Sequence, residues 1–205
     1  MNAALAVIDT AGIDRVTIRS VAKLAGAPPM SLYTHFTNKG ELLELVYTEV
    51  WRRLYPDDMP ETTWQADLFA LCRHLRNSLI EHPRWIPLLA RPVVSPPLIP
   101  LRERLLRQMV NDGLSPAAAM GALTSALITT IGLVLVDVTL REPDGQTAFT
   151  RRFERLRVRA ESTTDHEHSV TRAAVSKFRR LNLEETFLLA LRSLIAGLDV
   201  QRRSA

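Results

Sequence analysis

Apolar positions recur along this chain at helical spacing, and no run alternates with the period of two that a half-buried strand requires. Ala4, Leu5, Val7, Ile8 and Ala11 outline a first helix, closed by Gly12. Thr17 is a suitable N-cap for a second, with Ile18, Val21, Ala22 and Leu24 expected to face inward. Ala25-Gly26-Ala27 reads as a turn, and Pro28 and Pro29 suit the opening of a third helix, where a missing N–H is tolerated. Thr37-Asn38 must stop that helix early and cap a fourth, from about Lys39 to Leu54, with Leu42, Leu43, Val46, Val50 and Leu54 on one face.

Pro56-Asp57-Asp58-Met59-Pro60 breaks the pattern and is the expected boundary between a domain of residues 1–55 and one of residues 56–205. Beyond it the pattern predicts helices at Trp64–Glu81, Arg84–Leu89, Pro97–Asn111, Pro116–Arg141 and Leu183–Leu198. Between Gly145 and Arg180 the pattern weakens, predicting a helical piece near Phe149–Ala160 and a mobile loop after it. Leu71, Leu75, Leu79, Trp85, Leu88, Leu105, Met109, Met120, Leu123 and Leu127 form the expected core stripe of the second domain. The fold class is therefore all-α: an N-terminal three-helix unit, a linking helix over 39–54, and a larger helical domain.

Composition changes this picture little. The 205 residues are 46% hydrophobic and 23% charged, as in ordinary globular chains. A pI near 9.7 points to an anionic partner. Yet through Tyr55 six basic side chains face five acidic ones, so bulk charge does not mark a nucleic-acid face. The single cysteine, Cys72, excludes a disulfide framework and sits within an apolar helical pattern, as a buried structural thiol would. A start without a basic leader, together with that cysteine usage, suggests a cytoplasmic protein. Gly113 to Val136 carries no charge and is long enough for a membrane span, but its five Ser and Thr residues and bare flanks favour a buried core helix.

Chemistry concentrates in GAPPMSLYTHFTNKGELL, Gly26 to Leu43. A helix, a glycine turn and a second short helix within about twenty residues make a helix-turn-helix pattern, in which one helix enters the major groove. Pro28, Pro29, Met30, Ser31 and Thr34 are the expected exposed positions, with Leu32 and Phe36 packing inward. Pro, Met and Thr can touch thymine methyls, and Ser and Thr can bond to base edges. Tyr33, His35 and Lys39 can reach phosphates, and Arg19 is placed for a bidentate guanine contact.

The stretch TIRSVAKLAGAPPMSLYTHFTNKGELL resembles the DNA-binding domain of the TetR family of transcriptional regulators, through Thr17, Ala22, Gly26, Leu32-Tyr33, His35-Phe36, Lys39 and Leu42. HPRWIPLLARP, from His82 to Pro92, and the helix ending TIGLVLVD are similar to the tetracycline-repressor branch. The resemblance implies that Thr17, Tyr33, His35 and Lys39 contact or support phosphates, while Arg19, Pro29, Met30, Ser31 and Thr34 face bases. It also implies a homodimeric repressor, bound to a palindromic operator of double-stranded DNA and released by a small apolar or amphipathic inducer. Expected pocket residues are His74, Asn77, Trp85, Leu88, Arg91, Met109, Met120, Thr124, Leu127 and Thr130. The expected dimer interface comprises Gly121, Ser125, Thr129, Gly132, Leu188, Leu191 and Ile195, on two long helices that pair with their copies.

The branch's magnesium ligands are missing. Aligning Arg91-Pro92 puts Pro87 where a histidine is needed, and aligning Gly132 puts Val136 where an acid is needed; neither holds a hard cation. Magnesium–tetracycline is therefore excluded as the expected inducer, and neither metal nor cofactor is anticipated. His166 and His168 read as a solvated loop, and the arginines from Arg151 to Arg159 as a solvated helix face. The competing reading is a helical small-molecule-binding protein or enzyme with a vestigial DNA-binding domain. It finds no carboxylate pair, Ser-His or Cys-His arrangement, or phosphate loop to support it.

Overall fold

In the computed structural model, residues 1–55, 62–89, 99–139, 148–162, 169–177 and 182–204 are described, and among them every regular element is helical. Helix α1 (Asn2–Ala11) ends at Gly12, whose φ of 84° starts a 3-10 turn over Ile13–Arg15. Thr17 caps α2 (Ile18–Ala25) in a reciprocal box with Ser20: the Thr17 hydroxyl accepts the Ser20 N–H, and the Ser20 hydroxyl accepts the Thr17 N–H. Gly26, at φ 63°, supplies the left-handed residue that closes α2. Pro28 and Pro29 then open the four-residue α3 (Pro29–Leu32), and Asn38 caps α4 (Lys39–Leu54) by accepting the Glu41 N–H.

The body follows with α5 (Trp64–Glu81), a 3-10 turn (Pro83–Trp85), α6 (Ile86–Leu89), α7 (Ile99–Asn111) and α8 (Pro116–Thr139). It is completed by α9 (Ala148–Ser162), α10 (Ser169–Lys177) and α11 (Leu183–Ser204). The central helix pair is α5 with α8, flanked by α7 and α11, while α9 packs chiefly on α10. Leu68, Leu71, Leu75 and Leu79 of α5 are fully buried, each at a site where truncation to alanine costs about 2–5 kcal/mol. Helix α8 is long and apolar enough to cross a membrane, yet it carries a buried Thr130 and a buried Asp137 that faces Arg76 of α5 at 3.7 Å.

Two joints hold the N-terminal helices to the body. The first is α4 itself: Leu42, Leu43 and Val46 lie in the core with α1 and α2, and Val50, Trp51, Leu54 and Tyr55 continue the same buried face toward α5. The second is a clasp on the C-terminal end of α1. Arg84 donates to the carbonyls of Asp9 (2.9 Å) and Thr10, satisfying helix-end acceptors that otherwise lack partners. His82 Nδ1 lies 3.1 Å from the Asp9 carboxylate, and its ring stacks on Trp85 at 4.1 Å.

The helix pattern differs from expectation in a few places. Leu24 is 54% exposed, because it falls in the last turn of α2, just before Gly26 redirects the chain. Met120 is also exposed, since it lies on the α8 face turned away from α5 and α7, so it leaves the expected core stripe. Helix α11 runs past Leu198 to Ser204. Part of the expected mobile loop is the helix α10, which packs on α9; His166 and His168 lie outside the described residues, as does the Pro56–Pro60 break.

Glu49 fastens the end of α4. Its carboxylate accepts hydrogen bonds from Arg52 (2.9 Å) and Arg53 (2.8 Å), and Arg53 also reaches Asn2 of α1. The Arg52 hydrogen bond, then that of Arg53, outweighs partial burial and lowers the Glu49 carboxyl from 4.5 to about 2. A lowered carboxyl contributes stability that is complete above its ordinary value and lost as pH falls from about 4.5 toward 2. Urea melts of wild type and Glu49→Gln are expected to differ at pH 6 and to converge on acidification through that interval.

Candidate nucleic-acid interface and effector core

All ten residues expected at the DNA are exposed: Thr17, Arg19, Pro28, Pro29, Met30, Ser31, Tyr33, Thr34, His35 and Lys39. They share the outer side of α2, α3 and the turn that follows, because Val21 and Ala22 of α2 and Phe36 beyond α3 face the core instead. Leu32 is half-buried against that core. Met30 is 75% exposed, more than any other large hydrophobic residue of this head, as a side chain kept for an outside contact would be.

The hydroxyls around α3 are already committed locally. Ser31 Oγ donates to the Pro28 carbonyl and Thr34 Oγ1 to the Ser31 carbonyl, both at 2.7 Å, leaving their oxygens free to accept. Thr17 is occupied as the α2 cap, its hydroxyl bonded to Ser20, and Arg19 is exposed two residues on. Lys39 Nζ donates to the carbonyl of Asp14, 3.3 Å away and twenty-five residues earlier, which fixes the start of α4 against the first 3-10 turn. Two of its three protons remain available.

The N-terminus of α4 is not vacant. The Glu41 carboxylate receives the Thr37 N–H at 2.7 Å and the Thr37 hydroxyl at 2.9 Å. These bonds, the backbone one first, hold the Glu41 carboxyl below its ordinary range. An anion approaching Lys39 thus meets a carboxylate on the same helix end.

The expected effector residues do not form one cluster. Trp85, Leu88, Met109 and Leu127 are buried in the body, Thr130 is buried on α8, and Arg91 lies outside the described residues. His74 and Asn77 instead line an open groove of about 710 Å³ between α5 and α11, with Arg73, Arg192 and Ile195. His74 Nε2 donates to the Arg53 carbonyl at 2.8 Å, tying α5 to α4. Met120 and Thr124 point outward from α8, away from Trp85 and Leu88, because 3.6 residues per turn puts them on the face opposite the core.

That outward face of α8 is uncharged over about four turns: Gly121, Thr124, Ser125, Ile128, Gly132 and Leu135 are exposed, Ile128 by 65%. Leu189, Ala196, Gly197 and Val200 form a matching exposed stripe on α11, with Leu188 and Ile195 half-buried beside it. Thr129 is half-buried. Leu191 is buried within the protomer, so its surface is already consumed by this chain's own core.

Cys72 is fully buried, and burial pushes its thiol up to about 11 against an opposing contact with Thr130. Sequence reasoning missed three other polar groups here. Trp51, Tyr55 and Arg102 each hold a buried polar atom with no hydrogen-bond partner. A thiol reagent at pH 8 is expected to leave the native protein unlabelled while labelling one equivalent in urea; labelling at equal rates would show Cys72 accessible.

A model for the tetR family of bacterial regulatory proteins matches residues 1–46, and one for the tetracyclin repressor-like C-terminal domain matches residues 55–202. The chain is 28% identical over 153 residues to the HTH-type transcriptional repressor DrrR1 of Streptomyces coeruleorubidus, a match covering 73% of this chain and 56% of that one, so it spans little more than half of that relative. It is 27% identical over 205 residues to the class D tetracycline repressor protein of Escherichia coli, covering 98% and 88% of the two chains. Among solved structures it shares its fold with the Streptomyces coelicolor protein ActR in complex with actinorhodin, with a TM-score of 0.72 at 23% identity over 97% of this chain and 94% of that one.

Proposed function

Because the chain belongs to the tetR family of bacterial regulatory proteins, we propose that it is a ligand-responsive transcriptional repressor that binds a palindromic operator as a homodimer. One observation carries this reading: α3 stands proud of a capped α2 and a left-handed Gly26, and the continuous α4 joins it to a helical body. Residues 1–55 form the DNA-binding head and residues 56–205 the sensing and dimerising body.

At the operator, α3 lies in the major groove, with Pro29, Met30, Ser31 and Thr34 against base edges and methyl groups. Pro28 sets the entry of the helix. Tyr33, His35 and Lys39 fix the head on phosphates, and Arg19 reads a guanine from the start of α2. Weak head charge makes each positioned contact count, and a two-fold dimer doubles them over half-sites about 34–36 Å apart.

The dimer forms by pairing α8 and α11 with their copies. Gly121, Ser125 and Gly132 allow close approach, while Ile128, Leu135 and Leu189 supply apolar area. Support comes from the exposed, uncharged face of α8 and the exposed apolar residues of α11, which a lone protomer would leave in water. DNA release follows when a ligand prefers a body conformation in which α4, and the clasp of Arg84 and His82 on α1, hold the heads at a separation unsuited to the operator.

Selection from a random DNA library is expected to enrich a near-palindrome; no enrichment at low salt would overturn the regulator reading. On the selected site, Lys39→Ala is expected to weaken binding to all sequences and to flatten the salt dependence by about one phosphate contact. Arg19→Ala is expected to relax preference at one base pair, worth about 1–3 kcal/mol. Ile128→Arg is expected to shift the protein from dimer to monomer in sedimentation velocity, with loss of tight binding to the full site.

A further inference from the structure

Beside the end of α4 lies a guanidinium of α7 that pairs with no carboxylate among the described residues. Trp51 in the last turn of α4 and Tyr55, its C-cap residue, are each 5% exposed, with ring centroids 6.4 Å apart. Arg102 reaches them from α7, its guanidinium 5.9 Å from the centre of the Trp51 ring. It also lies beside the Tyr55 hydroxyl: burial pushes that phenol up, and Arg102 pulls it part of the way back. Trp51 Nε1–H, the Tyr55 hydroxyl and Arg102 Nε–H are all buried without a partner.

The helix bearing Arg102 shows what a satisfied arginine looks like. Arg104, about 200° further round α7, donates to the buried Asp67 at 3.2 Å, and Arg107 pairs with Glu103 at 2.6 Å. Among the described residues no carboxylate pairs with Arg102. Arg102 is half-buried, but its Nε–H is fully buried, and a buried donor of a charged group normally has an acceptor because its desolvation is otherwise uncompensated. One water accepts two hydrogen bonds and brings no charge, whereas a carboxylate offers about four acceptor sites and a negative charge.

We infer that Trp51, Tyr55 and Arg102 form the anchoring end of the effector site and select an aromatic acid, a planar ring bearing a carboxylate or acidic phenol. The inference rests on the ligand-responsive reading proposed above and names the chemistry of that ligand. Arg102 takes the anionic oxygens, Tyr55 and Trp51 add neutral donors, and the two rings favour a flat molecule. Since Trp51 and Tyr55 belong to the helix whose other end lies in the core of the head, the ligand bridges body and DNA-binding unit directly.

Calorimetric titration of the full-length protein with salicylate, 2-naphthoate and 1-hydroxy-2-naphthoate, each beside its carboxamide, tests this. At least one acid is expected to bind about tenfold more tightly than its amide, the margin of one charge-assisted bond. Arg102→Met should remove that preference, Arg102→Lys should retain part of it, and Tyr55→Phe should weaken the acid several-fold. Arg107→Met, a surface change on the same helix, should leave it intact, and circular dichroism identifies any variant that fails to fold. Amides binding as tightly as acids, or a preference that survives in folded Arg102→Met, overturns the inference. DNA selection distinguishes the two failures: enrichment without any acid preference leaves the regulator reading standing and removes this one, and an Arg102-dependent preference without enrichment does the reverse.

Discussion

Burial of one face of α4 from end to end is the constraint on which the rest of the molecule depends. Its first half completes the core of the head through Leu42, Leu43 and Val46, and its second half enters the body through Val50, Trp51 and Leu54. Close packing makes such a helix a rigid connector, since neither half can move without repacking its neighbours. The clasp of Arg84 and His82 on the end of α1 adds a second, polar joint. Head and body are thereby coupled by one apolar and one hydrogen-bonded link, which differ in how readily they rearrange.

The head illustrates how a nearly neutral unit is built to meet a polyanion. Its exposed face is assembled from short side chains and a few cations, each oriented by local hydrogen bonds: Thr17 by its cap, Ser31 and Thr34 by backbone carbonyls, Lys39 by Asp14. Pre-set side chains lose less entropy when they engage a partner. Glu41 works against this, placing a carboxylate at the one helix end that faces outward beside Lys39. The arrangement favours placement over attraction, in keeping with a charge balance through Tyr55 of six against five.

Most helix boundaries were legible because their signals are local. Thr17, Gly26, Pro29 and Asn38 act through bonds or dihedral preferences within four residues, so their effects survive any tertiary arrangement. Exposure was legible where a short segment has one buried side, as around α3. The effector core was less so. Met120 and Thr124 have the spacing of core residues, but α8 has two apolar faces, and sequence cannot say which one this chain covers itself. Trp51, Tyr55 and Arg102 form no pattern along the chain, because residues of α7 and of the end of α4 meet only when folding brings them together.

Sequence by itself thus determined the all-α class, the caps, the short third helix and the outward set from Thr17 to Lys39, because each follows from propensity and periodicity within a few residues. Tertiary structure alone decided which face of α8 is left open, that Leu191 is spent inside the protomer, and that α1 is held from the body by Arg84 and His82. It also decided that the guanidinium of Arg102 lies between α4 and α7, where no carboxylate among the described residues pairs with it. These are relations among positions some fifty to seventy-five residues apart or more, such as Tyr55 with Arg102 and Asp9 with Arg84, and no local preference encodes them; they arise when burial of the shared apolar faces fixes how the helices pack.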